Sequence, residues 1–122
     1  MFLVDSSGWI AFFAAGSLSG KYEKYIKNPV KIVKPTVVLC EVYKKIRRER
    51  TEDEALAAAS VINRTKIVPL SESIALLAAD LSIKYSLPMA DAMVNATAFE
   101  EDCQVVTGDA HFRDLERVIF VA

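Results

Sequence analysis

Residues Leu87 to Phe112, LPMADAMVNATAFEEDCQVVTGDAHF, decide the fold. Pro88 opens a helix, a short loop follows, Gln104-Val105-Val106 forms a strand, and Thr107-Gly108-Asp109 turns away from it. One carboxylate, Asp91, sits in the first turn of the helix, and another, Asp109, sits just past the strand. A parallel α/β sheet binds ligands beyond the carboxyl ends of its strands. Helix N-termini lie at the same edge, because each helix leads back from one strand to the next. The spacing therefore predicts that Asp91 and Asp109 meet at one rim.

The chain on either side repeats this alternation. Phe2-Leu3-Val4 is a short apolar run of the kind buried on both faces of a sheet. Asp5-Ser6-Ser7-Gly8 is capping chemistry, and Trp9 to Ala15 is helix-length, ending at Gly16. Trp9, Ile10, Phe12 and Phe13 wrap most of that helix. One face packs on the sheet; the other needs cover from a partner or from a second helix carrying Leu18, Tyr22, Tyr25 and Ile26. Asn28-Pro29 ends the second helix, and Lys31 to Lys34 is a strand halted by Pro35. Thr36 is expected to cap a helix from Val37 to about Arg50, with an apolar stripe of Leu39, Val42, Tyr43 and Ile46. Thr51-x-x-Glu54 is a capping box opening a helix to about Ile62. Lys66-Ile67-Val68 is a third strand, and Ser71 caps a helix striped by Ile74, Leu77, Ala78, Leu81 and Tyr85. Val118 to Val121 is the last strand. The expected fold is α/β: a three-layer α-β-α arrangement around a five-stranded parallel sheet, in one domain spanning 1–122.

Composition narrows the function classes. The chain has 122 residues and a net charge of −1, so polyanion binding has to come from a local basic patch. Two cysteines, Cys40 and Cys103, are too few for a disulfide framework and are expected to be buried apolar residues in a reducing cytoplasm. No signal peptide is visible, and no apolar run reaches the ~20 residues that cross a bilayer.

Four carboxylates are expected at the rim: Asp5, Glu41, Asp91 and Asp109. Each alone has a plain structural explanation: a helix cap, half of a Glu41–Lys45 pair, a charge at a helix N-terminus, a turn residue. Together they repel unless protonated or bridged by a cation. Oxygen ligands without histidine or cysteine favour Mg²⁺ or Mn²⁺ over Zn²⁺. Such a site suits hydrolysis of phosphate esters.

At these residues the chain resembles the PIN-domain ribonucleases. The order Asp5, Glu41, Asp91, Asp109 carries the resemblance, with V-D-S-S at the start, L-P-x-A-D-A in the middle and V-T-G-D-A-H-F near the end. A single-domain chain of this length is most similar to the VapC-type toxins of prokaryotic toxin–antitoxin pairs. The resemblance implies a metal-dependent endoribonuclease that cuts structured RNA of the transfer or ribosomal class. It also implies a homodimer and a small VapB-type antitoxin encoded alongside. The family's four acids map onto Asp5, Glu41, Asp91 and Asp109, and its hydroxyl residue two before the last acid maps onto Thr107.

Around the acids, Asn95 shares the helix face of Asp91 and is read either as orienting a carboxylate or as a solvated helix residue. Ser6 and Ser7 either hydrogen-bond the Asp5 carboxylate or cap the helix. His111 and Asp114 are expected at the surface, and Phe112 as a core anchor. Lys44, Lys45 and Arg48 follow Glu41 at helical spacing and are expected to hold RNA phosphates; the alternative is a solvated face. An antitoxin tail is expected near Trp9, Phe12 and Phe13. Receiver domains and haloacid-dehalogenase-like phosphatases fit poorly, because Asp5 is followed by Ser6 and Ser7 rather than by further acids. A catalytically idle RNA-binding or dimerisation module, or an RNA-processing nuclease outside a toxin system, remains the alternative.

Overall fold

The computed structural model describes residues 1–14, 16 and 19–121. Five parallel strands, β1 (Phe2–Val4), β2 (Ile32–Pro35), β3 (Lys66–Val68), β4 (Gln104–Thr107) and β5 (Val118–Phe120), stand in the order β3-β2-β1-β4-β5. The pairing register sets Leu3 beside Val33 on one side and beside Val105 on the other. Leu3, Val4, Ile32, Val33, Val105 and Val106 are fully buried. Their unbroken apolar runs are those of strands covered on both faces.

Among the described residues six helices make the cover: α1 (Ser6–Phe13), α2 (Ser19–Ile26), α3 (Thr36–Glu49), α4 (Glu52–Ile62), α5 (Glu72–Tyr85) and α6 (Met89–Glu100). The crossovers β1 to β2 and β2 to β3 step one way across the sheet. The crossover β3 to β4 steps back past β1. With right-handed connections, α1–α4 therefore lie on one face and α5–α6 on the other. The packing agrees: α1 meets α2 and α3, α3 meets α4, and α5 lies along α6. The strand order reverses between β1 and β4, so a crevice opens beyond their carboxyl ends.

Local chemistry sets the ends. Thr51 Oγ accepts the Glu54 N–H, and Ser71 Oγ accepts the Ile74 N–H, as the capping motifs predict. Thr36 does not cap α3; it is the first helical residue, and Pro35 precedes it without a side-chain bond. Pro35 closes β2, where proline's missing N–H costs little, and hands the chain directly to the helix. The first helix stops at Phe13 with Ala14 as its cap residue, short of the predicted Gly16, while Ala15 and Leu18 lie outside the described residues.

Trp9, Tyr22 and Ile26 are buried together, so α2 supplies the second cover that α1 requires, and Trp9 is sealed inside rather than offered to a partner. Cys103 is buried, but Cys40 is exposed, because Val38 and Val42 take the buried face of α3. Lys34 is 2 % exposed, and its ammonium donates to Asn63 Oδ1 at 2.6 Å. Asn63 is the cap residue at the carboxyl end of α4, a position favourable to a cation. No helix among the described residues is long and apolar enough to cross a membrane.

Candidate active site

The acids stand at the crevice between β1 and β4. Asp5 follows β1 and caps α1. Its Oδ1 accepts the Gly8 N–H at 3.1 Å and the Ser7 hydroxyl at 2.7 Å; its Oδ2 accepts the Thr107 hydroxyl at 2.8 Å. Thr107, fully buried at the end of β4, in turn accepts the Asp109 N–H at 2.9 Å. The Gly108 N–H donates to Ser7 Oγ at 3.2 Å. Residues roughly a hundred positions apart are thus stitched through two hydroxyls. The register permits it, because β1 and β4 are hydrogen-bonded neighbours from Phe2↔Gln104 to Val4↔Val106.

Asp91 enters from the first turn of α6 and Glu41 from the second turn of α3. Burial pushes the Asp91 carboxyl up to about 6, reinforced by the charge of Asp109 and, more weakly, of Glu41 and Asp5. His111 pulls the other way without reversing the shift. Glu41 is also raised, first by burial and then by Asp5 and Asp109, against a hydrogen bond from Ser6. Asp5 is raised by burial, and its three hydrogen bonds only partly offset this. All four predicted acids therefore feel one another across a single crevice. Like charges so gathered call for protons or a cation.

Asp109 caps the short turn Ala110–Phe112, accepting the His111 N–H at 2.9 Å. His111 is exposed, as expected, yet its Nδ1 lies 3.0 Å from Asp91 Oδ2 and 3.1 Å from Asp109 Oδ1. One donor atom from each of Asp91, Asp109 and His111 falls within 4.8 Å of the other two. This donor set, with Asp5 and Glu41 in electrostatic reach, fits a divalent cation. Asn95, one turn beyond Asp91 on α6, is 1 % exposed, and its Oδ1 has no hydrogen-bond partner among the described residues. It is a buried residue, not a solvated one.

The two serines divide the work differently from expectation. Ser7 serves Asp5, while Ser6 hydrogen-bonds Glu41. Tyr22 is a site residue that sequence reasoning misses. It is buried beneath the rim, hydrogen-bonded to Ser7, with its hydroxyl pushed up to about 12 by burial and by Asp5. Apolar spacing alone marks Tyr22 as core, and nothing in the sequence sets its hydroxyl apart.

The basic residues of α3 are less uniform than their spacing suggests. Lys45 pairs with Glu49 at 2.8 Å and lines a groove between α1, α3 and α4. Lys44 and Arg48 are exposed. Arg48 lies seven residues beyond Glu41, roughly 10 Å along the helix axis. Asp114 is exposed, as expected.

A family model of the PIN domain matches residues 2–118. None of the curated proteins compared with the chain matches it. Among solved structures, a toxin–antitoxin complex from Klebsiella pneumoniae superposes with a TM-score of 0.82 at 20 % identity, covering 98 % of this chain and 96 % of that one. VapC20 of Mycobacterium tuberculosis, a sarcin-ricin loop cleaving toxin, gives 0.73 at 21 % identity, covering 89 % and 92 %. FitAcB from Neisseria gonorrhoeae gives 0.76 at 15 % identity, covering 99 % and 97 %.

Proposed function

The chain belongs to the PIN domain family, and from that premise we propose that it is a metal-dependent endoribonuclease acting as the toxin of a toxin–antitoxin pair. The observation that carries this reading is the mutual electrostatic coupling of Asp5, Glu41, Asp91 and Asp109 at the crevice where strand order reverses. In this reading 1–122 is one nuclease domain. Asp5, Asp91 and Asp109 hold Mg²⁺ or Mn²⁺, and Glu41 positions the attacking water or a second ion. When bound, the cation supplies positive charge that polarises a phosphodiester and makes water a better nucleophile at neutral pH.

The chain's own side chains do the rest. Ser7 and Thr107 hold the two Asp5 oxygens in fixed directions, so this carboxylate meets a ligand without rearranging. Thr107 also fixes the backbone of Asp109. Ser6 steadies Glu41. Asn95 offers a buried carbonyl oxygen one turn from Asp91. Lys44 and Arg48, exposed on α3 at helical spacing from Glu41, would meet RNA phosphates.

Structured RNA of the transfer or ribosomal class is the proposed substrate, since one structural neighbour is a sarcin-ricin loop cleaving toxin. A small VapB-type antitoxin is the proposed restraint, since another neighbour is a toxin–antitoxin complex. The groove lined by Ile10, Phe13, Ile46, Ala58 and Val61 supports an apolar antitoxin segment there. A homodimer is supported by the apolar furrow between α5 and α6, where Ile83 is 82 % and Met89 71 % exposed. The test is cut-site mapping in total RNA with added Mg²⁺ or Mn²⁺, wild type beside Asp5→Asn. Discrete cuts lost in the variant and in EDTA support the reading; cuts that persist in either overturn it.

A further inference from the structure

We propose that His111 is itself a ligand of this centre, through Nδ1, and that its nitrogen makes the centre select Mn²⁺-like ions over Mg²⁺. The inference rests on the metal-dependent reading above and adds to it a donor of a different kind.

The placement of the ring is what carries it. This ring nitrogen lies between two carboxylates of different elements, 3.0 Å from Asp91 Oδ2 and 3.1 Å from Asp109 Oδ1. Burial does not hold it there, for the side chain is 58 % exposed. The backbone holds it. Asp109 accepts the His111 N–H at one end of the turn, and Phe112, fully buried, anchors the next residue in the core. The three donor atoms are mutually within 4.8 Å, close enough to share one ion.

The chemistry follows from the nitrogen. Mg²⁺ prefers oxygen ligands and keeps several waters, whereas Mn²⁺, a first-row transition ion, accepts a nitrogen ligand more readily than Mg²⁺ does. A centre of carboxylates alone has little means of telling Mg²⁺ from Mn²⁺. Adding one imidazole stabilises the softer ion selectively.

The experiment measures Mn²⁺ and Mg²⁺ binding calorimetrically to the intact protein, together with the electron spin-echo spectrum of bound Mn²⁺, for wild type, His111→Gln and Asp91→Asn. The expected result is a nitrogen modulation in wild type that is absent in His111→Gln. Mn²⁺ affinity should fall roughly tenfold or more in that variant while Mg²⁺ affinity changes less than about twofold. Asp91→Asn should weaken both ions together. A wild-type spectrum without nitrogen coupling, an equal loss for both ions, or tighter Mn²⁺ binding after removal of the ring overturns the role of His111. It leaves the metal-dependent reading standing. Failure of wild type to bind either ion overturns both.

Discussion

Thr107 donates its hydroxyl hydrogen to Asp5 Oδ2 at 2.8 Å and accepts the Asp109 N–H at 2.9 Å. One hydroxyl thus sets the relation between the acid after β1 and the acid after β4. Thr107→Val keeps the shape of the side chain and removes both bonds. It leaves a buried carboxylate oxygen without its donor, and about 1–3 kcal/mol of stability should be lost in urea titrations. Thr107→Ser should recover most of the loss. If valine is as stable as threonine, the hydroxyl does not organise the rim.

Asp91 is held near 6, above its ordinary 3.8, by burial and by the charge of Asp109. The folded state therefore binds this proton more tightly than the unfolded chain does. Its stability contribution is complete below about pH 4, is lost as pH rises to about 6, and does not return above that. Asp5, Glu41, Asp109 and His111 all face this carboxyl, and only His111 opposes the shift. In EDTA at pH 7.5, Asp91→Asn should melt higher than wild type, by roughly 4 °C per kcal/mol relieved, with the difference closing toward pH 4.5. Cleavage should be abolished in the same variant. A lower melting point at pH 7.5 would mean the acids do not repel one another.

Loading with a divalent ion must overcome the same protons. Asp5, Glu41 and Asp91 are all raised, so Mn²⁺ affinity should fall steeply as pH drops through 6, with proton release on binding. Calorimetry in two buffers of different ionisation heat measures that release. Affinity independent of pH from 5 to 7 would place the ion elsewhere.

Gly8 lies where α1 crosses Tyr22. A methyl there would meet the Tyr22 ring edge and Val4, each at 2.8 Å. Gly8→Ala should cost ~1–3 kcal/mol by overpacking, despite alanine's better helix propensity. Because Tyr22 bonds Ser7, RNA cleavage should fall as well. A stabilised variant, read by urea midpoint, would show that the ring moves freely.

Lys44→Glu with Arg48→Glu should weaken RNA binding and lower the slope of log affinity against log salt by about one unit for each phosphate no longer neutralised. Filter binding at several salt concentrations reads both. Unchanged slopes would leave these residues as a solvated helix face.

The sheet is legible in the sequence because its strands are short, mostly apolar and punctuated by Pro35, Pro69 and Gly108. The acids are legible because each lies at a strand or helix end, where topology alone fixes the edge it occupies. The placement of His111 is not, because two residues past Asp109 a side chain can point to either side. Only the turn capped by Asp109 decides, and that turn is too short to show periodicity. Lys34 and Trp9 are hidden for a related reason: one is a charge buried by its reach to Asn63, the other an aromatic sealed by a helix packed across it. Thr36 misleads because Pro35 occupies the capping position.

Central β1 is made early in translation, but its neighbour β4 follows roughly a hundred residues later. A nascent chain that has reached only Cys103 already carries Asp5, Glu41 and Asp91, yet has neither Thr107 to orient the first acid nor Asp109 to complete the set. The acidic set is therefore incomplete until β4 and the turn after it have been made.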